Sequence, residues 1–215
     1  MSLAPEPAAI ECRTDAPAGS VPMQIVPASP EVLPLLEELF DRRAAGDARS
    51  CSCLWWRVRA RDFGTSAGNR ERLRRLVQDG PPPGLLALED GRAIGWVGLG
   101  PRPVFERIER SRVIPRVEGP TPWAIVCFVV ASDARGRGVA GALLAAAVEH
   151  ARAAGAPAVE GYPIDPSAEP GGRVRDTGAY VGTRSMFERA GFVVAAPTTS
   201  HSGGAPRVVM RLDLA

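Results

Sequence analysis

Residues 126–152, VCFVVASDARGRGVAGALLAAAVEHAR, carry the densest chemistry of the 215-residue chain. Arg135, Gly136, Arg137, Gly138 and Gly141 stand between an apolar run, Cys127 to Val130, and a stretch of helical period that opens at Val139. A strand that feeds a helix through a glycine-rich turn brings unpaired N–H groups and the positive end of the helix dipole to one point. Two guanidinium groups add full charges beside it. The expected ligand therefore bears phosphate. Two well-known phosphate loops do not fit. A Walker loop needs a lysine, and this chain has none; all 26 basic residues are arginine. Gly136, Gly138 and Gly141 do spell G-x-G-x-x-G, but they follow the fourth predicted strand, the turn carries two arginines, and no convincing ribose-binding acid follows.

A second cluster is CSCLWW, residues 51–56. Cys51, Cys53, Trp55 and Trp56, with Trp96, could wall a substrate pocket with an apolar or cation-binding surface. The competing reading is a buried turn packed on the core. A metal site is not expected, because C-x-C lacks a second ligand pair and His150 and His201 are distant in sequence. The absence of lysine excludes a Schiff-base lysine mechanism. Cys127 lies in an apolar strand and reads as a small core residue rather than a nucleophile.

The elements that must position these residues follow from periodicity. The expected order is βααββ, then βαβαββ: a strand at Met23 to Pro27, a helix capped by Ser29 and running to about Arg43, and a helix at Asn69 to Gln78. A hairpin follows, Leu85 to Glu89 and Ala93 to Gly98, turning at Asp90-Gly91. The fourth strand ends at Val130, and the long helix after it buries Ala140, Leu143, Leu144, Ala147, Val148 and Ala151. Pro157 to Ile164 is the fifth strand, and residues 165–179 form a Pro/Gly-rich surface insertion. Thr183 to Ala190 is a short helix, and Phe192 to Ala196 and Val208 to Leu214 are the last strands. Such a mixture predicts an α/β or α+β sandwich.

Composition sets the outer bounds. The chain is long enough for one domain with a real core, residues 22–215, behind a tail at 1–21. A net charge of +2 and few aromatics argue against nucleic acid as a partner. No run reaches the ~20 apolar residues of a membrane span. Four scattered cysteines and no apparent secretory leader predict a cytoplasmic protein without a disulfide framework. The Ala, Gly, Pro and Arg bias is that of a GC-rich genome.

Arg135-Gly136-Arg137-Gly138-Val139-Ala140 resembles the R-x-x-G-x-[G/A] acyl-CoA signature of the GNAT acetyltransferase superfamily. The upstream hairpin, the strand ending at Val130, the long helix and the segment MFERAGF, Met186 to Phe192, follow that family's order over residues 23–213. The resemblance implies a mixed, mostly antiparallel sheet with helices on both faces and splayed fourth and fifth strands. It implies acetyl-CoA as the donor, an amine of a small molecule or peptide as the acceptor, and direct transfer in a ternary complex. Pantetheine would pair with Phe128, Val129 and Val130, and the loop from Arg135 through Gly141, with Val139 and Ala140 at the helix start, would hold the pyrophosphate. The Val129 backbone N–H, or a neighbouring one, would serve the oxyanion. Ser185 and Phe187 would lie beside the cofactor.

The chain also departs from the family pattern. Phe187 stands where many members carry a proton-donating tyrosine, so Tyr180, Tyr162 and Ser185 become the candidate acids. Glu160 and Asp165 of the fifth strand are the candidate bases. A non-catalytic acyl-CoA-binding or sensor domain on the same fold is the second reading. The assembly is open between a monomer and a homodimer.

Overall fold

A computed structural model describes residues 10–11, 23–42, 48–168 and 180–214. Most of the expected tail and insertion lies outside these residues. Ile10–Glu11 is a two-residue strand, β1, within the segment expected as a tail. It is followed by β2 (Gln24–Pro27), α1 (Leu33–Asp41), α2 (Ala48–Cys51), α3 (Ser66–Asp79), β3 (Gly84–Glu89), β4 (Arg92–Pro101) and α4 (Glu106–Glu109). The second half is β5 (Trp123–Val130), α5 (Val139–Ala153), β6 (Ala158–Gly161), α6 (Arg184–Arg189), β7 (Val193–Ser202) and β8 (Ala205–Asp213).

The described strands form one mixed sheet in the order β1-β2-β3-β4-β5-β6-β8-β7. Every neighbouring pair is antiparallel except β5–β6, the pair joined by the α5 crossover. The β3–β4 hairpin turns at Asp90 and Gly91, both with positive φ (50° and 71°), as a tight two-residue turn requires. Helices cover both faces. A Cβ at Gly95 would lie 2.8 Å from a Val139 methyl and 2.9 Å from a Leu143 methyl, so α5 rests directly on β4. The next residue, Trp96, points the opposite way and meets Phe40 of α1 edge-on, with ring centroids 6.0 Å apart. The main core joins α1, α3 and α5 to the sheet, and a smaller cluster of Phe105, Ile108, Ile114, Val126, Tyr162 and Val209 lies beneath the segment before β5.

Helix starts differ in detail from the sequence expectation. Ser29 is not the cap of α1. Its carbonyl accepts from Val32 and Leu33 in a preceding turn, and the helix begins at Leu33 with Pro34 in its first turn. Thr65 caps α3, its hydroxyl accepting from the Gly68 N–H, so that helix starts three residues before Asn69.

β5 and β6 stay paired only through Trp123↔Val159, Ala124↔Glu160 and Ile125↔Gly161. Two local features end the ladder there. Register against β4 shifts between Ile125 and Cys127, leaving Val126 as a bulge, and a bulge increases local twist. Just past the end of β6, Pro163 has no N–H to continue a ladder. Beyond Gly161 the two strands therefore diverge, and Phe187 of α6 packs into the base of the opening. A Cβ at Gly161 would overlap the Phe187 ring, which also meets Phe128 edge-on at 6.2 Å.

Candidate functional site

The loop before α5 is built for close approach. Ser132–Ala134 is a single 3-10 turn, after which residues 135–138 are exposed. Gly136 and Gly138 have φ of 73° and 82°, a region in which a side chain is strained. No heavy atom lies within 4 Å of where a Cβ would sit at Gly136, Gly138 or Gly141. The loop is thus open to a ligand on its glycine face. Gly138 caps α5 with its backbone alone, so no side chain occupies the first N–H groups of this 15-residue helix. Arg137 is held by Glu89 of the neighbouring hairpin, which anchors the loop to β3.

The gap-facing edge of β5 follows from one hydrogen bond. The Ala131 N–H donates to the Ile94 carbonyl at 2.9 Å. Backbone groups alternate along a strand, so the Val129 N–H also faces β4, across from Trp96. The N–H groups of Phe128 and Val130 face the opening. Val129, expected with its neighbours as the oxyanion donor, is committed to the ladder, which leaves the Phe128 and Val130 N–H groups as the candidates.

A cavity of about 320 Å³ lies at this edge. Cys51, Cys53, Trp55 and Trp56 form one wall, and Val126, Cys127, Tyr180 and Arg207 contribute the others. Four of the five expected pocket residues are therefore together. Trp96 is not among them. It is fully buried, and its indole N–H donates to the Cys53 sulfur at 2.9 Å, so it supports the wall from behind. The wall itself is a strained turn, with Ser52 and Cys53 both in the left-handed region at φ 46° and 54°. Cys53 lies 3.3 Å sulfur to sulfur from Cys127, and both are free thiols. The contact with Cys127 and burial push the Cys53 thiol well up, and burial pushes Cys51 up to about 12. Neither offers a thiolate at neutral pH.

The two candidate bases lie elsewhere. Glu160 is 1% exposed and is saturated by the Tyr162 hydroxyl at 3.0 Å, Arg211 at 3.3 Å and Arg102 at 3.4 Å. It borders a separate small cleft with Arg102, Glu109 and Arg116. Asp165 accepts from the Ser167 hydroxyl at 2.5 Å and from Arg184 at 2.9 Å, and these bonds hold its carboxyl below the usual aspartate value. Neither carboxylate lines the cavity, and both have structural partners; the assignment of either as base is corrected on that ground. Tyr162 is likewise spent. Its hydroxyl is shared between Glu160 and Arg102, and burial, then Glu160, drives its pKa far up. Ser185 is exposed on α6 and pairs with Thr183. Phe187 is fully buried and serves as packing at the base of the opening. Of the proposed acids, Tyr180 alone lines the cavity.

The sequence model of the acetyltransferase (GNAT) family matches residues 49–163, more than half of the chain. The chain belongs to the GNAT acetyltransferase family. Solved structures agree on the fold. The histone acetyltransferase HPA2 and related acetyltransferase from Corynebacterium glutamicum is 20% identical, with a TM-score of 0.53 over 89% of this chain and 96% of that one. The ribosomal-protein-alanine N-acetyltransferase from Brucella melitensis is 20% identical, with a TM-score of 0.50 over 88% and 99%. A chain of the NatC complex bound to Gag peptide and CoA is 14% identical, with a TM-score of 0.51 over 90% and 99%. No curated protein matches the sequence. Among the described residues, no helix of this GNAT domain is long and apolar enough to cross a membrane.

Sequence reasoning missed Arg207 altogether. The available signal was parity. Ala205, Arg207, Val209 and Arg211 share one face of β8, and Val209 between the two arginines is fully buried.

Proposed function

We propose that this GNAT domain is an acetyl-CoA-dependent N-acetyltransferase that acts on an amine held in the cavity beside β5. The observation that carries the reading is the break in the β5–β6 ladder after Ile125↔Gly161, with the apolar cavity at the freed edge and the open glycine loop at the end of the same strand. The residues present suit the donor. Gly136, Gly138 and Gly141 leave room for a pyrophosphate against the α5 N-terminus, Arg135 adds charge, and the free edge at Phe128 to Val130 is a template for an amide-bearing arm such as pantetheine.

When bound, acetyl-CoA supplies a thioester whose C–S bond breaks as the C–N bond to the amine forms. The chain's own groups do the rest. The Phe128 N–H is the nearest gap-facing donor to the cavity wall at Cys127 and stabilises the developing oxyanion. Tyr180 donates a proton to the departing sulfur and is reprotonated from solvent. The described cavity residues include no carboxylate or imidazole, so the amine enters as its free base and its surplus proton leaves to water. Trp55, Trp56 and Phe63 offer apolar faces that hold the body of the acceptor. The raised Cys51 and Cys53 thiols argue against either carrying the acyl group, which favours direct transfer.

Release of free thiol from acetyl-CoA, followed over a panel of primary amines, tests the reading. Amine-dependent release is expected. CoA binding with no release across the panel would instead favour the non-catalytic sensor.

A further inference from the structure

Arg207 is 8% exposed and lines the acceptor cavity, yet its Nε and Nη1 atoms are buried with no hydrogen-bond partner. Its one described companion is Trp56, whose ring lies under the guanidinium at 4.9 Å. A buried cation without an anion is costly, and a ring face offsets only part of the cost. Burial pushes the group down to about 10, which still leaves it charged at neutral pH. No carboxylate of the described residues answers it, and its position in the cavity lining points to a ligand as the source of the missing charge.

The position of Arg207 says which part of a ligand that is. Arg207 sits on β8 and bridges to Ile164, on the β6 side of the opening. Cys127 and Val126 line the same cavity from the β5 side, where the amine must react. The cavity thus combines the β5 wall at which the amine reacts, a buried cation on the β8 side and the apolar faces of Trp55, Trp56 and Phe63. Its volume of about 320 Å³ suits one small molecule rather than a peptide chain.

We propose that the acceptor is a free amino acid or related small amino-carboxylate with an apolar side chain, and that Arg207 binds its carboxylate. The inference rests on the acetyl-transfer reading and narrows its substrate class. Arg207 touches the acceptor's carboxylate and not the reacting atoms, so it sets specificity and orientation.

The test pairs each acceptor with its decarboxylated analogue: phenylalanine with phenethylamine, tryptophan with tryptamine, leucine with isopentylamine. Thiol release by the wild-type full chain should favour the carboxylated member by on the order of 100-fold in kcat/KM. Arg207→Met should erase the preference, bringing the two members of each pair to equal kcat/KM, and Arg207→Lys should keep part of it. Equal rates for both members would overturn the carboxylate assignment and leave acetyl transfer standing. Calorimetric binding of N-acetylphenylalanine against N-acetylphenethylamine reads the same claim without turnover. The acid should bind more tightly to wild type and lose that advantage in Arg207→Met. If the acid has no advantage in wild type, the inference fails even when no amine is turned over; if the advantage holds without turnover, it is the transfer reading that fails.

Discussion

Two arginines stand four residues apart on the same face of β8, and they are treated oppositely. Arg211 bonds Asp213 at 2.8 Å and Glu160 at 3.3 Å, and also donates to the Pro120 carbonyl at 3.3 Å. Arg207 has two buried nitrogen atoms with nothing to donate to. Burial is nearly equal, 7% exposed against 8%. A charge whose donors are satisfied within the fold is part of the structure. A charge that is buried equally well and left unanswered costs stability, and a fold retains such a cost where a ligand compensates it. The same contrast sorts the carboxylates. Glu160 and Asp165 looked like bases because they are acids near the opening, but their partners make them internal ties.

The comparison can be broken at several points. The largest effect is expected at Glu160. Glu160→Gln leaves Arg102 and Arg211 without their shared carboxylate, and urea unfolding should show a loss of about 3–5 kcal/mol. The folded fraction should keep its kcat. A fall in kcat with unchanged stability would make Glu160 the base and erase the distinction. Next is Tyr180→Phe, which removes the cavity's candidate proton donor; kcat should drop by on the order of 100-fold with little change in CoA affinity. An unchanged rate at saturating substrate would remove Tyr180 from the mechanism.

Asp165→Asn is smaller, about 1–2 kcal/mol in chemical denaturation with kcat/KM preserved. Its pH dependence has a definite sign. The folded carboxyl lies below the usual aspartate value of 3.8, so the unfolded chain takes up the proton first. The contribution is complete above about pH 5 and is lost as pH falls toward the folded value. The difference in unfolding free energy between wild type and Asp165→Asn should shrink over that acid range. The smallest expected effect on stability is that of Arg207→Met. Because the folded state carries this cation at a disadvantage, its loss should leave the melting temperature unchanged or raise it. A clear drop would place Arg207 among the structural ties with Arg211.

Much of the fold was legible because it depends on local patterns. Asp90-Gly91 announces its hairpin, and the Val130-to-Val139 switch of period announces a strand, a turn and a helix whose glycines stand where positive φ is needed. The cavity wall was legible in CSCLWW because cysteine and tryptophan rarely crowd a solvent loop. What failed depended on neighbours distant in sequence. Trp96 could be assigned to the pocket because both faces of β4 are apolar, and only the packing of Phe40 and Cys53 shows which way it points. Glu160 and Asp165 disclose nothing of their arginine partners, which stand 19 to 58 positions away. Val129 was the natural oxyanion donor by position, but the register set by Ala131 and Ile94 turns its N–H into the ladder. Arg207 was hidden because an arginine in a strand is ordinarily read as facing solvent.

The donor site is the centre of the account, and it can be tested without knowing the acceptor. Calorimetric titration of CoA onto wild type and onto the Arg135→Glu, Gly138→Asp double variant puts negative charge where a pyrophosphate would lie and strains the left-handed cap of α5. The expected result is a loss of affinity of at least ~100-fold, with the far-ultraviolet spectrum of the folded protein retained. Equal CoA affinity in the two proteins would contradict the assignment of the loop, and with it the proposal that the opening between β5 and β6 receives the acyl donor.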